Sequence, residues 1–137
     1  MGRKRLQRKD NKRPEADLAN RTRHMEIIST APTGRFQIQA DVWEARNSLW
    51  VYTPSIWDAK RNLHILSFED ESWSADNSFW SSENQVSLIL RKFPGNHRPE
   101  QLNVEIDCVA QVATIAAASP IPLSKLESAL NQALTWV

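Results

Sequence analysis

The sequence predicts an α+β fold: an antiparallel β-meander sheet of about six or seven strands, with one C-terminal α-helix packed on it and a disordered basic N-terminal tail. Three observations predict it. Runs of apolar/polar alternation recur between residues 35 and 115, joined by short turn signals and never by a helical crossover. Leucines recur at three- and four-residue steps in one place only, near the C-terminus. The first 24 residues hold nine Lys/Arg against three acids, with Leu6 and Leu18 as their only large aliphatic residues. That is too little apolar surface to offset the entropy of ordering, so 1–24 reads as tail and 25–137 as a single domain.

The elements follow in order. Residues 27–34 lead in and close on the Pro32-Thr33-Gly34 turn signal. Phe36, Ile38, Ala40 and Val42 then alternate with Gln37, Gln39 and Asp41, a half-buried strand. After a turn at 46–48, Leu49 to Thr53 is β-branched and aromatic. Pro54, which has no N–H for a ladder, marks an end, a bulge or an edge. Asp58 to Asn62 is turn-like, and 63–68 is a third strand in which His64 shares a face with Leu66 and Phe68. The polar stretch 72–78 reads as a loop around Trp73, followed by a short strand at Phe79-Trp80. Val86, Leu88 and Leu90 mark the next strand. Residues 94–100, with two Pro and one Gly, form a loop that exposes His97. Leu102, Val104, Ile106 and Cys108 mark another strand, and the chain returns through 112–115. Leu123, Leu126, Leu130 and Leu134 then form the stripe of a three-turn helix, with Ser124 and Glu127 at capping-box spacing.

Composition and motif spacing exclude several function classes. No apolar run approaches the roughly 18 residues of a membrane-spanning helix. The tail has no secretory apolar core and holds acids and little Ser, so a cytoplasmic location is expected. The three glycines, Gly2, Gly34 and Gly95, stand isolated, so no phosphate-cradling loop is present. The lone Cys108 continues a buried strand face beside Glu105 and Asp107, a setting that suppresses a thiolate. The three His are unsuitably spaced for metal ligation, and Glu69, Asp70, Glu71 and Asp76 lack a calcium-loop pattern. No cofactor, metal or catalytic residue is assigned, and the chain is read as non-enzymatic.

Binding is the remaining chemistry. Residues 25–137 carry thirteen acids against eight Lys/Arg, so the domain is acidic where the tail is basic. Five of the six tryptophans lie between positions 43 and 80. Aromatic and arginine side chains are the usual anchors of interfaces, and Arg46, Arg61 and Arg91 could flank the tryptophans. The expected partner surface comprises Trp50, Tyr52, Trp57, Glu69, Asp70, Glu71, Trp73, Asp76 and Trp80, facing another protein that is itself basic. The alternative is a nucleic-acid-associated accessory protein. It would bind phosphates through Arg3, Lys4, Arg5, Arg8, Lys9, Lys12 and Arg13 in the tail.

The segments Ser48-Leu49-Trp50-Val51-Tyr52-Thr53-Pro54, Trp73-Ser74-Ala75-Asp76 and Arg91-Lys92-Phe93-Pro94-Gly95 resemble those of small bacterial β-meander proteins of the toxin-immunity type. The resemblance covers 25–137 and carries over no functional residue. It implies a compact acidic module that neutralises a toxin by binding it.

Overall fold

A computed structural model describes residues 23–46 and 49–136. The seven tail residues of the nucleic-acid reading, Arg3 to Arg13, and the turn residues Asn47 and Ser48 lie outside them. In chain order the elements are β1 (Arg23–Thr30), β2 (Phe36–Arg46), β3 (Leu49–Asp58), β4 (Leu63–Ser67), β5 (Trp73–Trp80) and β6 (Gln85–Lys92). There follow β7 (His97–Arg98), β8 (Leu102–Asp107), β9 (Val112–Ile115), β10 (Ile121–Pro122), a 3-10 turn (Leu123–Lys125), α1 (Leu126–Gln132) and β11 (Thr135–Trp136). Among the described residues the protein is mostly antiparallel β-sheet with a single short C-terminal α-helix, an α+β fold.

The described strands divide between two main sheets and a two-stranded pair where the sequence suggested one sheet. The first is a meander, β1-β2-β3-β4, and the second has the order β10-β9-β8-β6-β5; β11 pairs with β7. Alternation determines which side chains turn inward, but not which strands share a ladder. The inward sets of both sheets meet in one core. Phe36, Ile38, Ile56 and Leu66 of the first sheet join Val86, Leu88, Leu90, Val104 and Ile106 of the second. The first described strand begins at Arg23. Its guanidinium reaches Asp41 (2.9 and 2.7 Å) and Glu71 (3.0 Å).

Four register shifts interrupt the described ladders; one lies between Glu44 and Arg46 near the β2–β3 turn, and the other three redirect side chains that simple alternation misplaces. In β4, Ile56 faces Leu66 but Trp57 faces His64, which leaves Ile65 as the extra residue. One extra residue reverses parity, so Leu66 turns inward and His64 stands exposed on the opposite face. In β5 the extra residue is Asp76. The supposed loop 72–78 is therefore a strand, with Trp73 and Ala75 buried before the bulge. After it Trp80 turns toward the core and Phe79 is 68% exposed. In β1, Ile28 is the extra residue between Ile27 and Ser29.

Pro54 does not end its strand. The β3–β4 ladder stops at Ser55↔Ser67, so the neighbouring Pro54 has a strand partner on the β2 side only, Ala40. Amides two residues apart in a strand point the same way. The Tyr52 N–H points away from β2 and donates to Ser74 Oγ (3.0 Å). The ring nitrogen of Pro54 faces that same side, where no ladder bond is required of it.

The leucine stripe is buried as expected, with Leu123, Leu126, Leu130 and Leu134 all in the core. The helix is shorter than three turns because its first turn is 3-10. The capping box does not form: neither helical segment has a side-chain cap. Glu127 instead accepts the N–H groups of Glu69 and Asp70, both at 2.9 Å, and so fastens the β4–β5 loop to the helix. His97 is also corrected: it is 2% exposed, not a loop-tip contact. Its Nδ1 lies 2.7 Å from the Pro99 carbonyl, and its Nε2 accepts the Lys92 N–H at 3.2 Å.

Candidate recognition groove

The nine residues expected to face a partner do not form one surface. Trp73 is fully buried and cannot serve as a surface anchor. Its ring lies against Phe68, centroids 6.0 Å apart, under the Lys92 ammonium at 5.5 Å. Trp80 is half-buried and donates from Nε1 to Ser29 Oγ (3.0 Å), so it joins β5 to β1. Trp57 lies on the outer face of the first sheet, edge-on to His64 at 4.9 Å. His64 in turn contacts Gln39 Oε1 at 3.1 Å.

The acidic residues are largely neutralised. Asp70 pairs with Lys92 at 3.0 Å and Glu71 with Arg23 at 3.0 Å. Asp76 receives a two-pronged contact from Arg91, with Nε and one terminal nitrogen each at 3.1 Å. Residues adjacent in sequence are thus divided among three basic partners on β1 and β6, and a continuous acidic face does not form from them. Glu69, exposed, borders a wide groove of about 810 Å³ between β4 and α1. Half of that groove's lining is Ser, Asn and Gln, and its Glu127 carboxylate is already committed to the loop amides. Among the described residues, no group of three or more His, Cys, Asp or Glu is placed to hold a metal ion.

Trp50, Tyr52 and Asp76 do come together. The register Val42↔Tyr52 and Glu44↔Trp50 puts both aromatics on the face of Ala40 and Val42, which are buried outside the main core cluster. Here the β2–β3 hairpin runs alongside β5 without ladder bonding. The gap is a groove of about 350 Å³ lined by Ile28, Trp50, Tyr52, Ser74, Ala75, Asp76 and Arg91. Two bulges shape it, since Ile28 and Asp76 are the extra residues of β1 and β5. Gln101 Nε2 donates to Asp76 Oδ2 (2.7 Å) and steadies the carboxylate from the far side.

Two half-buried rings, an aliphatic wall and a charge-balanced guanidinium–carboxylate fork offer stacking and directional hydrogen bonding in one recess. Ser74, the one hydroxyl besides Tyr52, is engaged by the Tyr52 amide. The sequence reading included Trp50, Tyr52 and Asp76, with Arg91 as a flanking cation, and missed Ile28 and Ser74. No pattern in a single sequence marks those two, because bulge positions set their direction. Arg61 lies elsewhere, in the turn between β3 and β4. No family model matches the chain, and no curated protein or solved structure is similar to it.

Proposed function

We propose that this chain is a protein-binding module that engages its partner at the Trp50–Tyr52 groove. The carrying observation is the convergence of Trp50, Tyr52 and Arg91 on one recess; these are the residue types enriched among interface anchors. In the setting implied by the resemblance to immunity proteins, the partner is a toxin. The pairing of Asp70, Glu71 and Asp76 moves the expected source of affinity from a bulk acidic field to the aromatic recess. A basic partner remains favoured by the acid surplus of 25–137, which acts on the association rate.

The test is affinity capture from the native cell with the full chain, a Trp50→Ala/Tyr52→Ala variant and a chain starting at Met25. One stoichiometric protein, held by the full chain and by the Met25 form but lost with the double variant, supports the reading. Undiminished capture by the double variant overturns it. Bulk nucleic acid, retained by the full chain and lost from the Met25 form, would replace it with the accessory-protein alternative.

A further inference from the structure

We propose that two copies of this chain associate through the free edge of β1, strand to strand and antiparallel about a two-fold axis at Met25. Among the described residues, β1 is the terminal strand of its sheet, with β2 on one side and no strand on the other. Its second half is covered, since Ser29 contacts Ser78 and Trp80. Its first half is exposed at every residue from Arg23 to Ile27, with the Arg23 guanidinium turned onto Asp41 and Glu71. An uncovered edge with unpaired backbone groups is a template for another strand.

The occupant is identified by the pattern of this segment, which is complementary to itself. With the axis at Met25, the antiparallel register places Met25 opposite Met25 of the second copy, His24 opposite Glu26, and Arg23 opposite Ile27. His24 and Glu26 already meet within one strand at 2.8 Å. Across the axis the same two side chains become two reciprocal imidazole–carboxylate contacts, as an isologous interface requires. Met25 and Ile27 are opposite Asp41 and Gln39 in the ladder to β2 and so share the outer face of the sheet. They are 59% and 58% exposed, among the most exposed large apolar side chains described. In the pair they would form one strip of four apolar side chains across the joined sheets, covering surface that a lone copy leaves in water. The bulge at Ile28 limits the new ladder to the Arg23–Ile27 half. A short ladder with a small apolar strip implies a concentration-dependent dimer, and the groove at Trp50 lies on the other face of the sheet.

Sedimentation velocity of the full chain over a wide concentration range tests this. A monomer–dimer equilibrium is expected, weakened at least tenfold by Ile27→Lys and by His24→Glu. His24→Glu sets carboxylates opposite one another at both reciprocal positions. The exchange His24→Glu/Glu26→Lys should restore the dimer, because it reverses each pair while preserving complementarity. These exposed positions leave the core intact, and circular dichroism of each variant verifies that. A chain that stays monomeric at millimolar concentration overturns the proposal. So does a dimer indifferent to both single substitutions, or one that the double exchange fails to restore. Partner capture at the groove is read separately, so either proposal can fail alone.

Discussion

Arg35 holds Asp58 with both arms of its guanidinium, Nε to Oδ1 and a terminal nitrogen to Oδ2, each at 3.0 Å. The carboxylate is 1% exposed, and its Oδ1 also accepts the N–H groups of Lys60 (3.0 Å) and Arg61 (3.3 Å) in the β3–β4 turn. The Asn62 N–H closes that turn onto the Asp58 carbonyl at 2.7 Å, and Asn62 takes a φ of 59°. The β8–β9 turn repeats the device. Asp107 Oδ1 accepts Val109 N–H (3.0 Å) and Ala110 N–H (2.9 Å), Gln111 N–H returns to the Asp107 carbonyl (2.8 Å), and Gln111 takes a φ of 59°.

Asp58→Asn should therefore lower stability by about 2 kcal/mol at neutral pH, since it removes a charge-assisted pair from a buried site. The Arg35 hydrogen bonds, with the Lys60 and Arg61 amides, hold the Asp58 carboxyl below its ordinary value of 3.8. A carboxyl more acidic in the folded than in the unfolded chain contributes its full stability above the unfolded value. That contribution fades as pH falls through the folded value. Urea unfolding of wild type and variant should show their difference constant from neutral pH to about pH 5 and shrinking below pH 4. A gap that persists undiminished at the lowest folded pH would assign the loss to packing.

The pair also shows what was legible in the chain. The alternating strands β2, β6 and β8 and the leucine stripe were readable, because each buries one face at its own period. The partners of Asp58 were not, since Arg35 is 23 positions away and no local pattern links them. Bulges at Ile28, Ile65 and Asp76 were equally hidden, and they decide the surface. They send His64 and Phe79 outward, Trp80 inward, and Asp76 toward Arg91. Of the candidate site, the residue types were recognised and their grouping was not.

Lys92 is the second hub. Its ammonium is 3.0 Å from Asp70 Oδ2 and 2.7 Å from Asn131 Oδ1, and it lies 5.5 and 5.9 Å from the ring centres of Trp73 and Trp136. One side chain thus ties β6 to the β4–β5 loop, to α1 and to β11. Burial would raise the Asp70 carboxyl, but the Ser72 amide and Lys92 prevail and hold it below the ordinary carboxylate value. Lys92→Met keeps most of the stem and deletes the charge. It should cost about 1–2 kcal/mol, with amide exchange quickening first in residues 126–136 and 69–72. Uniform acceleration across β6 and β8 would show that Lys92 supports the core rather than the C-terminal clasp.

Cys108 provides a probe of how tightly this end of the core is closed. The thiol is buried, and that burial pushes it up to about 12, reinforced by the charges of Asp107 and Asp58 and opposed by Arg35. Only the thiolate attacks a disulfide reagent. Relative to a free thiol at its ordinary value of 9.0, the shift suppresses the thiolate about a thousandfold at pH 8. Labelling by an aromatic disulfide reagent should therefore be negligible in the folded protein and complete within seconds in denaturant. In the native state it should proceed only through opening, so its rate should rise with urea in proportion to the unfolded fraction. Asp58→Asn should accelerate it by the factor its stability loss predicts, about thirtyfold for 2 kcal/mol. Rapid labelling of the native wild type, independent of urea, would mean that the β6–β8 end opens locally and that Cys108 lies outside the cooperative core.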